Sequence, residues 1–146
     1  VRIALVVSRF NDFVTDRLLT GAEAALRQAG LGSDDLVVLR VPGAFEIPIA
    51  AQRLAESARV DAVVCLGCLI RGATPHFEYI ASACAHGITA AAAATGVPMT
   101  FGVLTTNTVE EALDRAGEGD ANKGREAALA ALELVRALKT LDDRGR

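Results

Sequence analysis

No uncharged apolar run in this chain approaches the ~18 residues that a membrane-spanning helix needs, which excludes a transmembrane reading. There is no lysine- or arginine-rich run either. Lys+Arg total 15 against 18 Asp+Glu, for a formal net charge of -3, a balance that argues against a nucleic-acid surface. With 2 histidines and 3 scattered cysteines, no metal cluster is legible. Cys65 and Cys68 have the C-x-x-C spacing, but no second Cys/His pair is suitably spaced and the flanks are apolar. They read as a buried strand end rather than a redox or metal motif. An odd cysteine count without a signal-type leader points to reduced thiols and a cytoplasmic protein. The chain begins at Val1 rather than Met, and a short N-terminal piece is expected to be missing. No G-x-x-x-x-G-K-[ST] loop exists and no G-x-G-x-x-G follows the first apolar run, so the Walker and dinucleotide fingerprints are both absent. No Ser-His-Asp or Cys-His arrangement is legible. No Gly/Ser-rich linker, repeat or low-complexity tract divides the sequence.

What is present is 146 residues, 51% hydrophobic and 23% charged, with a mean hydropathy of +0.33. That length suggests one domain over residues 1–146, with room for a real core. The apolar surplus is high for a soluble monomer and is expected at subunit interfaces. Four short runs, 1–8, 36–41, 62–66 and 99–104, are almost continuously apolar, the signature of strands covered on both faces. Helices are expected between and after them. The first, 14–29, is stopped by Gly30, and 48–57 opens on Pro48. The span 78–95 ends before Gly96, and 108–116 opens on a Thr108/Glu111 capping box. The last, 122–141, has Asn122 as its cap. The alanine run 90–94 suggests close helix packing. The last helix spreads Leu129, Leu132, Leu134, Val135, Leu138 and Leu141 over a wider arc than one buried stripe requires, which suggests a second subunit against it. Alternating strands and helices imply a parallel sheet with helices on both faces.

In such a sheet, ligands bind beyond the carboxyl ends of the strands. The loops there carry Phe10, Phe45 and Phe77, with Phe101 in the strand before the fourth loop. In a chain only 4% aromatic this placement suits stacking on a flat heterocycle, although rings plugging the core ends is the plainer alternative. Gly72-Ala73-Thr74 before a helix start offers backbone N–H groups and a hydroxyl to a small anion, a weak signal on its own. His76 stands beside it, and histidine exchanges protons near neutral pH. His86, inside a helix, reads as helix surface or packing. Glu46 at a helix start either complements the dipole or grips the hydroxyls of a polyol. Arg115 and Lys123 are either solvated surface or a phosphate-binding pair.

Taken together, the loops carry a resemblance. The segments Arg9-Phe10-Asn11, Val41-Pro42-Gly43-Ala44-Phe45-Glu46-Ile47-Pro48, Leu66-Gly67 and Ile70-Arg71-Gly72-Ala73-Thr74-Pro75-His76-Phe77-Glu78-Tyr79 are followed by Phe101-Gly102-Val103-Leu104-Thr105, Arg115-Ala116-Gly117 and Asn122-Lys123-Gly124. In this order and spacing they resemble the lumazine synthase family from Ile3 to about Leu138. The resemblance implies a three-layer α/β/α domain with a four-stranded parallel sheet in the flavodoxin-like order 2-1-3-4. It implies condensation of 5-amino-6-(D-ribitylamino)pyrimidine-2,4-dione with 3,4-dihydroxy-2-butanone 4-phosphate to 6,7-dimethyl-8-ribityllumazine, the penultimate step of riboflavin biosynthesis. Neither a metal nor an organic cofactor is implied. Phe10 would stack on the pyrimidine, and Ala44, Phe45 and Glu46 would line the ribityl chain. Cys68, Leu69 and Ile70 would border the ring through backbone groups, Ala73 and Thr74 would hold the phosphate, and His76 would shuttle protons. Phe101, Arg115 and Lys123 would come from a neighbouring subunit, with Arg115 paired to the phosphate.

The implied partners are the two small-molecule substrates and further copies of the chain, in a pentamer or a closed icosahedral shell. Association with riboflavin synthase is also implied, and neither nucleic acid nor membrane is. Two departures from the family pattern stand out: Leu69 occupies a position where Val is more usual, and the short stretch 118–121 resembles shell-forming members. Family members carry residues before the first strand that add a strand to a neighbour's sheet. The rival readings are a non-catalytic flavin- or lumazine-binding module and a shell protein without chemistry.

Overall fold

A computed structural model of the chain describes residues 1–144. The four apolar runs form strands β1 (Ile3–Ser8), β2 (Leu36–Val41), β3 (Ala62–Ile70) and β4 (Met99–Thr106). All pairings are parallel, in the order β2-β1-β3-β4, as expected. Every residue of β1 is buried, because alternate side chains of a central strand enter different layers. Ile3, Leu5 and Val7 pack with helices α1 (Asp12–Gln28), α4 (Val109–Asp114) and α5 (Lys123–Arg144). Ala4 and Val6 pack with α2 (Ile47–Glu56) and α3 (His76–Thr95). The result is one three-layer α/β/α unit.

The same alternation disposes of the C-x-x-C spacing. Cys65 belongs to the α2/α3 side of the sheet and Cys68 to the α1/α5 side. Residues three apart on a strand point to opposite faces, so the two thiols cannot share a metal or a disulfide. Burial pushes the Cys68 thiol up from 9.0 to about 11 and the Cys84 thiol likewise to about 11. Cys65 is raised further by burial and by the neighbouring Cys84.

Several boundaries differ from expectation for identifiable reasons. β3 runs on through Gly67 to Ile70, because Gly67 to Ile70 continue the ladder opposite Val103 to Thr106. Gly67 is a strand residue at a close approach: an added methyl would touch Ile47, Ser8 and Val103. α3 begins at His76, directly after Pro75. In the alanine run 90–94 only Ala91 is fully buried, and Ala90, Ala93 and Ala94 are exposed. The tight α2–α3 contact instead lies at Gly87, whose methyl would collide with Pro48. Both proposed caps form. Thr108 accepts from the Glu111 amide at 3.2 Å, and Asn122 accepts from the Arg125 amide at 3.0 Å. Beyond its buried stripe, α5 leaves Leu129, Leu134, Leu138 and Leu141 exposed, and edge strand β2 exposes Val38 and Leu39.

Candidate active site

All four strands end on one side of the molecule, and the segments that follow β1, β2 and β3 build a cleft of about 460 Å³ there. Phe10, Ala44, Phe45, Glu46, Leu69, Ile70, Thr74 and His76 line it, with Gly72, Phe77 and Ile80. Two of the rings do not plug the core, Phe10 being 65% and Phe45 61% exposed, whereas Phe77 is half-buried against the α2/α3 side of it. An exposed phenyl face costs hydration free energy, so it marks a surface made to be covered.

Each element of the cleft has a local cause. Phe10 is presented by a short β1–α1 turn whose backbone is tied to the end of β2, Arg9 N–H to Val41 O at 2.8 Å and Phe10 N–H to Pro42 O at 3.0 Å. The next residue, Asn11, adopts φ 61° and ψ 43°, a left-handed conformation that asparagine tolerates better than most side chains. Its amide Nδ2 donates to the Cys68 carbonyl at 2.9 Å, locking the turn to the end of β3. Glu46 closes a single 3-10 turn over Ala44–Glu46 and is half-buried, and Ala44 is buried beneath it. Cys68 lies under the cleft rather than in it: its side chain is in the core and its carbonyl is held by Asn11.

The loop between β3 and α3 carries Gly72, Ala73 and Thr74, all exposed, and ends in His76 as the first residue of α3. Gly72 and Thr74 line the cleft, and Ala73 lies between them. His86, by contrast, is exposed on α3, its Nδ1 2.8 Å from the Ser82 carbonyl; it takes no part in the cleft.

Phe101, Arg115 and Lys123 lie together elsewhere. They line a second groove, of about 520 Å³, along edge strand β4 and α5. The two clefts have no lining residue in common. Arg115 is 3.7 Å from Glu111 and Lys123 2.9 Å from Glu126, exposed pairs of the kind worth about 0–1 kcal/mol and easily exchanged for a stronger anion. Asn122 fixes this pair of cations. It is 4% exposed, and its amide donates to Arg17 O at 3.1 Å and to Ala116 O at 3.3 Å. The Lys123 amide donates to Arg115 O at 2.8 Å.

Two positions that hold the cleft's loops had no role assigned from the sequence. Asn11 is one. Arg71 is the other: its guanidinium contacts Asn107, Glu78 and the face of Phe77. Both lie inside the resembling segments, so a signal existed, but only the fold shows their partners. Among the described residues no group of three or more His, Cys, Asp or Glu side chains converges on a metal site, and no helix is long and apolar enough to cross a membrane.

Comparison with known proteins places the chain in a family. The 6,7-dimethyl-8-ribityllumazine synthase family model matches residues 1–139. A 6,7-dimethyl-8-ribityllumazine synthase of Syntrophus aciditrophicus (strain SB) is 52% identical over 141 residues, 97% of this chain and 92% of the relative. Another, of Halorhodospira halophila (strain DSM 244 / SL1), is 50% identical over 141 residues, 97% of this chain and 90% of the relative. With the family model spanning nearly every residue and half of all positions shared with named members, the chain belongs to the 6,7-dimethyl-8-ribityllumazine synthases, transferases of riboflavin biosynthesis.

Proposed function

We propose that the protein condenses 5-amino-6-(D-ribitylamino)pyrimidine-2,4-dione with 3,4-dihydroxy-2-butanone 4-phosphate to give 6,7-dimethyl-8-ribityllumazine, phosphate and water. The observation that carries this reading is the meeting, in one cleft, of exposed phenyl faces, the half-buried Glu46 carboxylate, the Gly72–Thr74 loop and His76. A flat ring stacks on Phe10. Glu46, with no side-chain hydrogen bond of its own among the described residues, accepts hydrogens from ribityl hydroxyls. Backbone groups at Leu69 and Ile70 border the ring, and Ala73 and Thr74 receive the phosphate.

The chemistry asks little covalent work of the protein. The pyrimidine amine is already a nucleophile. It adds to the ketone and expels water as an imine forms. Elimination then releases the phosphate, and the ribitylamino nitrogen closes the ring with loss of a second water. Each stage moves protons, the task we assign to His76. Holding two reactants in register can supply roughly 7–11 kcal/mol of the barrier reduction, and a positioned acid–base group adds about 10²–10⁴-fold.

We also propose that the site is completed between copies of the chain, in a pentamer. Phe101, Arg115 and Lys123 of one copy would face the His76 cleft of the next. The separation of the two grooves and the exposed apolar residues of α5 and β2 support this. The test is direct: mix the protein with both substrates and follow lumazine absorbance, with light scattering for the assembly. Binding without product would refute the catalytic reading. A stable monomer at micromolar concentration would refute the shared site.

A further inference from the structure

We infer that Arg71 is a positioning residue that pre-sets the phosphate loop, through a clamp made with Glu78 and Asn107; this rests on the proposed reaction. The loop in question, residues 72–75, is rich in small residues and exposed. An added methyl at Gly72 would meet nothing within 4 Å, so packing does not define the loop's shape. Left to itself, such a segment would sample many conformations, and a ligand would have to order it on binding.

Arg71 closes a ring around it. At one end, the Arg71 amide donates to Thr106 O at 2.8 Å, fixing the loop's start to the end of β4. At the other, Nη1 donates to Glu78 Oε1 at 2.8 Å, in the first turn of α3. Between them, Nε donates to Asn107 Oδ1 at 3.0 Å, and the guanidinium lies 4.8 Å from the centroid of the Phe77 ring. The loop thus has both ends tied at one residue, its start through the Arg71 backbone amide and its end through the guanidinium, and His76 and Phe77 sit inside the closure. The contacts use the planar fork and the flat face of a guanidinium, which an ammonium cannot reproduce.

Charge gives the inference a sign. Glu78 is an acid next to a candidate anion site. If it acted only through its charge, removing it would tighten anion binding. If it acts through Arg71, removing it frees the loop and weakens anion binding.

The experiment compares R71A, R71K, E78A and N107A with wild type, using inorganic phosphate in calorimetry and both substrates in turnover. Phosphate should bind about three- to tenfold more weakly to R71A and E78A, since the loop must then be ordered at the ligand's expense. kcat/KM for dihydroxybutanone phosphate should fall about 10–100-fold, the scale of an ångström-sized misplacement. KM for the pyrimidine should stay within about twofold, as its contacts are elsewhere. N107A should fall between. R71K should behave as R71A. Melting should barely move, because exposed pairs contribute little to stability. Tighter phosphate binding by E78A would overturn the clamp. So would an R71K protein equal to wild type beside a defective R71A, which would make Arg71 a simple charge for the anion. A wild type that binds phosphate but makes no lumazine would refute the proposed reaction while the phosphate series still decides the clamp. A wild type that does neither would overturn both.

Discussion

Replacing Asn122 by alanine removes a side chain that serves three backbone groups at once. It caps α5 by accepting from the Arg125 amide, and it donates to the carbonyls of Arg17 on α1 and Ala116 ahead of α5. Loss of the cap costs about 1 kcal/mol. Leaving the Ala116 carbonyl unpaired in a buried site costs about 1–3 kcal/mol more, for a total of roughly 2–4 kcal/mol. Urea unfolding at fixed protomer concentration measures this as a midpoint shift of about 1 M or more at constant slope. The packing also supplies an internal control. A methyl at Gly21 would run into the Asn122 amide, so G21A alone should be destabilising. In the N122A background the obstacle is gone, and the helix gain of alanine over glycine, roughly 1 kcal/mol, should appear. The two substitutions must therefore be strongly non-additive, with the double variant more stable than N122A. An unchanged midpoint in N122A, or additive effects of the pair, would refute this account of the α1–α5 junction. Because the same amide fixes the start of α5 beside Arg115 and Lys123, N122A should also raise KM for the phosphate substrate.

H76A should slow lumazine formation by about 10²–10⁴-fold while leaving measurable turnover, read by absorbance; activity equal to wild type would remove His76 from proton transfer. R115A should raise KM for dihydroxybutanone phosphate more than for the pyrimidine, and steady-state kinetics varying each substrate in turn checks this. Mixed assemblies of H76A and R115A, refolded together in equal amounts, should recover up to about a quarter of wild-type activity. One in four neighbouring pairs then joins an intact cleft to an intact groove, and no recovery would place the whole site in one chain. The three free cysteines are buried, so an aromatic disulfide reagent should find none in the native protein and all after unfolding. Because burial holds the Cys68 and Cys84 thiols near 11 against 9.0, the unfolded chain releases these protons first. Stability should be independent of these groups below pH 9 and fall between pH 9 and 11, by about 1.4 kcal/mol per pH unit per thiol.

The strands were legible because both faces of the sheet are covered, and that condition leaves an unbroken apolar run in the sequence. Gly67 misled the reading of β3 for a physical reason. Glycine is a common strand terminator, and here it is required within the strand by the approach of Ile47 and Val103. The alanine run misled in the other direction, since small residues permit close packing without requiring it. The cleft-lining loops stood out because Phe10, Phe45 and His76 are side chains that a parallel sheet does not need at its rim. The partners were not legible. Nothing in the spacing of Arg71 and Asn107, or of Asn11 and Cys68, announces a contact that only β3–β4 and β1–β3 pairing create.

Electrostatics carries the argument for a shared site one step further. Among the described residues no lysine or arginine lines the His76 cleft, and Arg71, next to the phosphate loop, is engaged at once by Glu78, Asn107 and the Phe77 ring. Backbone amides and the Thr74 hydroxyl alone would have to hold a doubly charged phosphate, and then to release a still more basic leaving group. Charge-assisted bonds are roughly twice as strong as neutral ones, and the two cations suited to supply them sit together in the other groove, where Glu111 and Glu126 hold them in weak, exchangeable pairs. A cleft without a cation among the described residues and a groove with two are complementary surfaces of one molecule. If copies form the proposed ring, each groove would meet the next cleft; catalysis would then depend on assembly, and the exposed apolar face of α5 would become part of the site's construction.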